Sequence, residues 1–277
     1  MTTKRIAFLG PAGTYTEEAC IRYDPQAKRV PFASVPAVGE AVVTGMADEG
    51  VVAIENSLEG SVPDTLDLLI RESVLKINRE LVLPIEHCLL GKEGTEVEKV
   101  QVVYSHPQAL AQSRRFLERC FPKAHLAAAL STTAAVQEML QSSVPAAAVG
   151  NARAAELYGA AILAKAIQDS PNNVTRFVVL AKHDHPRTGN DKTSLCFSFD
   201  EDKPGLLYKV MGEFATRGVN LAKVESRPTK QELGSYIFLI DCDGHRDDPK
   251  VKEALERVKA MASMFKVFGS YPRYKNG

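Results

Sequence analysis

Four short segments gather polar side chains directly after apolar, strand-like runs, where α/β proteins place their ligands. Asn172-Asn173-Val174-Thr175-Arg176-Phe177 sets two amides, a hydroxyl and a guanidinium at the entrance of the run 177–180. A hydroxyl among amides can hydrogen-bond a departing oxygen, and an arginine can pair with a carboxylate. Gly10-Pro11-Ala12-Gly13-Thr14-Tyr15-Thr16-Glu17 follows the run 6–9. Its glycines permit close backbone approach, and a helix beginning near Thr14 turns unpaired N–H groups toward an anion. The segment is neither GxGxxG nor a P-loop, which argues against a nucleotide. Glu55-Asn56-Ser57-Leu58-Glu59-Gly60-Ser61-Val62 offers acceptors, donors and a hydroxyl after a third run, and Ser105-His106-Pro107-Gln108 follows a fourth. His106 is either an acid/base or a helix cap, and no Ser/His/Asp triad can be assembled. A capped turn accounts for any one segment. All four in one pattern point to a cleft for a small acidic metabolite, with no metal or redox cofactor.

Positioning these residues requires alternating strands and helices. Strands are expected at 5–9, 29–33, 51–54, 81–90, 100–104, 125–130, 146–149, 161–167 and 176–181, and helices at 14–23, 36–46, 63–72, 107–120, 133–142 and 151–158. An internal repeat offset by about 95 residues underlies the pattern. Ile6-Ala7-Phe8-Leu9-Gly10-Pro11 answers Val102-Val103-Tyr104-Ser105-His106-Pro107, and Val52-Ala53-Ile54-Glu55-Asn56 answers Ala147-Ala148-Val149-Gly150-Asn151. Two similar α/β lobes with a cleft between them follow, with strand 176–181 returning to the first lobe.

The stretch 183–191 is polar and carries Pro186 and Gly189, so a solvated linker is expected; His183 and His185 form an HxH pair without evident further metal ligands. Beyond it the order strand 193–199, helix 205–217, strand 219–227, strand 234–242, helix 248–261 and strand 264–271 is βαββαβ, a ferredoxin-like domain. The two middle strands are expected to pair across a turn near Thr229-Lys230-Gln231. In the 277-residue chain, 34 basic residues balance 34 acidic ones, so no global field attracts nucleic acid or an anionic membrane. The five cysteines are dispersed, without CxxC or zinc spacing, and fit a reducing compartment. No signal-peptide core or long apolar span is evident, so a cytoplasmic location is expected.

GPAGTYTEEA, IENSLEGSVPDTLDLL, YSHPQALAQSRRFL and NNVTRFVVL together resemble the signature blocks of prephenate dehydratases, in the same order and at similar spacing. PGLLYKVMGEFATRGVNLAKVESRP resembles that family's ACT regulatory domain, so the likeness covers essentially the whole chain. Departures are mild: Tyr15 and Thr16 where Phe and Ser are common, Ala53 where Pro is, and Ser113 where Cys is.

The resemblance implies a periplasmic-binding-protein-like catalytic domain at 1–182, a linker at 183–191 and an ACT domain at 192–277. It implies decarboxylating dehydration of prephenate to phenylpyruvate, without a cofactor, because aromatisation supplies the driving force. Thr175 is assigned to the departing hydroxyl. Gly13, Thr14, Glu55, Asn56, Ser57, Ser105, Gln108, Asn151, Asn173 and Arg176 are assigned to substrate binding, and Phe177 to packing. Gly205, Leu206, Leu207, Asn220, Leu221, Glu225 and Ser226 are assigned to allosteric L-phenylalanine, bound between two ACT domains of a homodimer or homotetramer. Rival readings are arogenate dehydratase, which shares these motifs, and a non-catalytic amino-acid sensor.

Overall fold

A computed structural model describes residues 3–200, 203–229 and 235–274. In chain order the elements of its first part are β1 (Arg5–Leu9), α1 (Tyr15–Tyr23), β2 (Lys28–Phe32), α2 (Val35–Thr44), β3 (Glu49–Asn56), β4 (Gly60–Ser61), α3 (Pro63–Arg71) and β5 (Lys76–Pro84). There follow β6 (Cys88–Gly91), β7 (Val102–Ser105), α4 (Pro107–Gln112), α5 (Arg114–Cys120), β8 (His125–Ala128), α6 (Thr132–Gln141), β9 (Ala146–Gly150), α7 (Ala152–Tyr158), β10 (Ala161–Ala164) and β11 (Val174–Ala181). The last part holds β12 (Asp191–Ser198), α8 (Leu206–Ala215), β13 (Leu221–Pro228), β14 (Tyr236–Asp243), α9 (Pro249–Met261) and β15 (Met264–Pro272).

The first sheet runs β2-β1-β3-β11-β5, with β4 on β3, and the second runs β10-β6-β9-β7-β8. These orders express the internal repeat. β1 stands between β2 and β3 as β7 stands between β8 and β9, and both β1–β2 and β7–β8 are parallel. Each sheet takes its next strand from a segment that has left the other half of the pattern: β11 joins the first sheet and β6 the second. Strands covered on both faces read as unbroken apolar runs, and residues 177–181 of β11 and all of β9 are buried accordingly.

The expected strand 81–90 is two strands. β5 begins five residues earlier, and Pro84 closes it before β6 enters the second sheet. A continuous apolar run does not report a change of sheet. The earlier start was hidden by Asn78 and Glu80, which are buried because they are partnered: the Asn78 amide donates to the His183 carbonyl, and Glu80 pairs with Lys192 at 2.8 Å. The expected helix 107–120 breaks at Ser113 into α4 and α5.

Residues 183–191 are largely exposed, as expected of a linker, and are also tied down by side-chain contacts. Asp184 pairs with Arg246 at 2.6 Å, the Arg79 guanidinium donates to His185 Nε2, and Asp191 accepts from Thr188 and Gly189. The third sheet, β13-β14-β12-β15, is antiparallel throughout, with α8 and α9 packed on a core of Leu195, Phe197, Val210, Phe214, Ile240 and Val258. In the expected turn between β13 and β14, Lys230 and Gln231 lie outside the described residues.

Contacts divide the chain into two compact units. One comprises Met1–Val38, Val51–Val62 and Val82–Phe177; the other comprises Gly39–Gly50, Pro63–Leu81 and Val178–Gly277. Within the second unit, β15 lies so close to β5 that a Cβ on Gly269 would stand 2.2 Å from the Ile77 carbonyl oxygen. The Lys266 ammonium there caps α3, donating to the carbonyls of Leu69, Ile70 and Glu72. Among the described residues, no helix is long and apolar enough to cross a membrane.

Candidate active site

A cavity of about 860 Å³ opens within the first unit. The starts of three helices line it: Thr14, Tyr15 and Thr16 at α1, His106 and Gln108 at α4, and Ser131, Thr132 and Ala134 at α6. Each start is capped by a local side chain. Thr14 accepts from the Glu17 N–H, His106 from that of Gln108 and Ser131 from that of Ala134. Pro107 at the first position of α4 forgoes an N–H that the helix would leave unpaired. No Lys or Arg stands among the described lining residues. An anion here therefore meets helix N-termini and neutral donors.

One polar chain crosses the floor. Asn56, at the end of β3, accepts at Oδ1 from the Leu58 and Glu59 N–H groups at 2.9 and 3.1 Å. That fixes its amide, so Nδ2 donates to Asn173 Oδ1 at 2.8 Å and to Thr175 Oγ1 at 2.9 Å. Asn173 Nδ2 donates in turn to Gln112 Oε1 at 2.9 Å, which also faces His87 Nε2 at 2.9 Å. Gln112 Nε2 reaches Glu59 Oε1 at 3.4 Å. Burial holds the His87 imidazole below its ordinary pKa, partly offset by its bond to Gln112. Burial likewise holds the Tyr15 phenol well above its own, with Cys88, Glu18 and Glu86 adding to the shift.

Thr175 and Phe177 share the cavity face of β11, as the two-residue period of a strand requires. The same period turns Arg176 to the other face, where it stands 3.6 Å from Glu55, so neither lines the cavity. Ser57 is also outside it: its hydroxyl donates to the Asn172 carbonyl and accepts from the Val174 N–H, stapling the loop to β11. Ser105 donates to the Val149 carbonyl at 2.7 Å, and Asn151 caps α7 through Ala154. Gly13, at φ 89°, donates its N–H to Glu17 at the approach to the cavity. Thr14, Asn56, Gln108 and Thr175 are brought to the lining, and buried Asn173 supports it.

Tyr15, His87, Gln112 and Ser131 line the cavity without having been assigned a role there. Gln112 was within reach of sequence reasoning, being four residues after Gln108 and so on the same helix face. His87 gave no signal inside an apolar run.

In the last domain Gly205 adopts a left-handed conformation, φ 84°, at the start of α8, followed directly by Leu206 and Leu207. Asn220 donates to Asp243 at 3.2 Å beyond the other end of α8, and Leu221 begins β13. Farther along β13, Glu225 pairs with Lys223 at 3.1 Å, and Ser226 stands opposite Phe238. A ten-residue helix is about 15 Å long, so Gly205 and Asn220 of one chain do not meet around one small ligand.

A family model described as prephenate dehydratase matches residues 6–185, and one described as ACT domain matches residues 201–260. The bifunctional chorismate mutase/prephenate dehydratase of Aquifex aeolicus is 42% identical over 270 residues, spanning 97% of this chain and 74% of its own. The crystal structure of a prephenate dehydratase from Arthrobacter aurescens in complex with L-Phe superposes with a TM-score of 0.90 at 37% identity, covering 97% of this chain and 90% of that one. A structure described as GqqA, a novel type of quorum quenching acylase, has a TM-score of 0.88 at 32% identity and covers 98% of each chain. Fold, cavity and matches define an enzyme that joins an α/β catalytic part to a C-terminal ACT domain. The chain belongs to the prephenate dehydratase family.

Proposed function

We propose that this enzyme removes water and carbon dioxide from prephenate to give phenylpyruvate, in the cytoplasm and under feedback control by L-phenylalanine. The observation that carries the reading is the Thr175 hydroxyl. It accepts from Asn56 Nδ2 on the floor of the cavity, which leaves its own proton to be donated into the cavity. As the ring carboxylate departs as carbon dioxide, the electrons of its C–C bond enter the ring and expel hydroxide, which takes up one proton to leave as water. A donor to that oxygen is worth most in the transition state, where charge develops on it. Thr175 supplies the hydrogen bond, and the helix starts at Thr14, Gln108 and Ser131 hold the carboxylates. Asn56, Asn173 and Gln112 orient the hydroxyl. Arg176, on the other face of β11, orders β3 through Glu55.

Residues 1–182 form the catalytic domain in this account, 183–191 the connection and 192–277 the regulatory domain. L-Phenylalanine binds where Gly205, Leu206 and Leu207 of one chain meet Asn220 and Leu221 of another, with Glu225 and Ser226 on the adjoining strand. The separation of the two groups by the length of α8 supports a site built from two chains, hence a dimer or a dimer of dimers. Feedback follows where the ligand favours a less active state.

The test is turnover of prephenate, arogenate and an acylated quorum signal by the same preparation, each with and without L-phenylalanine. Prephenate turnover inhibited by L-phenylalanine is expected. Preference for arogenate assigns the amino-bearing substrate instead, and acyl hydrolysis alone aligns the chain with the acylase neighbour.

A further inference from the structure

His87 is 3% exposed, and both of its ring nitrogens face protein groups. Nε2 lies 2.9 Å from Gln112 Oε1, and Nδ1 lies 3.2 Å from the Tyr15 hydroxyl, whose single proton is shared with the Glu86 carbonyl at 2.7 Å. Its backbone is held on both sides, the N–H by Gln168 Oε1 and the carbonyl by the Ile167 N–H. The ring is therefore fixed in position and does not have to move with a ligand.

The polar chain has one self-consistent direction. The Leu58 and Glu59 N–H groups fix the Asn56 amide. Its Nδ2 then requires Asn173 to present Oδ1, and Asn173 Nδ2 requires Gln112 to present Oε1. An amide oxygen only accepts, so His87 Nε2 carries a hydrogen. Gln112 Oε1 thus receives two N–H donors, one from Asn173 and one from His87. Without the second, the Gln112 side chain has a single tether at that oxygen and a 3.4 Å contact to Glu59.

We infer that His87 is a positioning residue for the elimination, holding the Thr175 hydroxyl in register through Gln112, Asn173 and Asn56 without touching the reacting atoms. The inference rests on the assignment of Thr175 under the proposed function. Loss of the Nε2 donor loosens Gln112, then Asn173, and with it the bond that fixes where Thr175 directs its proton. Substrate affinity, set by the helix starts, is left nearly intact.

The experiment compares His87→Leu with His87→Gln, whose amide N–H can replace Nε2–H, by steady-state kinetics on prephenate. His87→Leu is expected to lower kcat about 3- to 10-fold, no more than removal of Asn56 itself, with KM changed less than about 2-fold, and His87→Gln to recover most of the loss. In a Thr175→Val background, read in single turnovers, His87→Leu is expected to add less than about a 2-fold change, because the two residues act as one unit. Full activity in Thr175→Val alone defeats the Thr175 assignment itself. Losses that multiply between the two sites, a His87→Gln variant as slow as His87→Leu, or an effect confined to KM each overturn the inference about His87 while leaving Thr175 in place.

Discussion

Replacing Asn56 by Asp changes two hydrogens and one atom, yet it reverses the direction of the polar chain. The two backbone N–H groups that hold Oδ1 remain satisfied, so the side chain stays where it is. The atom that donated to Asn173 at 2.8 Å and Thr175 at 2.9 Å becomes an acceptor. Thr175 then donates its only proton to the carboxylate, and the departing oxygen loses its partner. Loss of one such donor costs about 100- to 1000-fold in kcat, roughly 2.7–4 kcal/mol. Asn56→Ala instead releases the Thr175 hydroxyl to its three staggered positions, one of which still serves, and the expected loss is nearer 10-fold. The nearly isosteric change is thus expected to be the worse one. Prephenate turnover at saturation measures kcat, and thermal melts of both variants separate catalysis from folding. An Asn56→Asp variant as active as Asn56→Ala refutes the donor direction and with it the role given to Thr175.

Lys192 and Glu80 form a buried pair with side chains 11% and 3% exposed; Lys192→Met leaves a buried carboxylate without its cation and is expected to cost about 3–5 kcal/mol in denaturant unfolding, much of it recovered when Glu80→Met is added. Burial pushes the thiols of Cys20, Cys196 and Cys242 up to about 12, and Cys120 is exposed; one fast-reacting thiol is expected in the native protein at pH 8, abolished by Cys120→Ser, against five after unfolding. Because burial lowers the His87 pKa, the unfolded chain takes up a proton there that the folded chain refuses. Stability is therefore expected to fall as pH drops below about 6.5, with a shallower slope in His87→Gln, as melts across that range will show.

Much of the architecture was legible because its signals are local. Apolar runs bounded by Gly, Pro and polar clusters marked most strands to within a few residues, and the repeat between 6–11 and 102–107 foreshadowed two sheets of the same order. The failures are long-range. Lys76–Glu80 does not look like a buried strand until Lys192 and the His183 carbonyl are seen to satisfy Glu80 and Asn78. The site divides in the same way. Asn56, Asn173 and Thr175 stand at strand ends, where ligands are expected. His87 acquires meaning only from Gln112, which is 25 residues away. Arg176 is different: strand alternation already set it opposite Thr175, and its charge outweighed that geometry in the sequence-based expectation.

The most direct measurement is prephenate turnover by Thr175→Ser beside Thr175→Val. A serine hydroxyl can still accept from Asn56 and donate to the departing oxygen, so Thr175→Ser is expected to keep kcat within about 10-fold of the parent, while Thr175→Val falls by about 100-fold or more. Equal turnover by Thr175→Val and the parent contradicts the account.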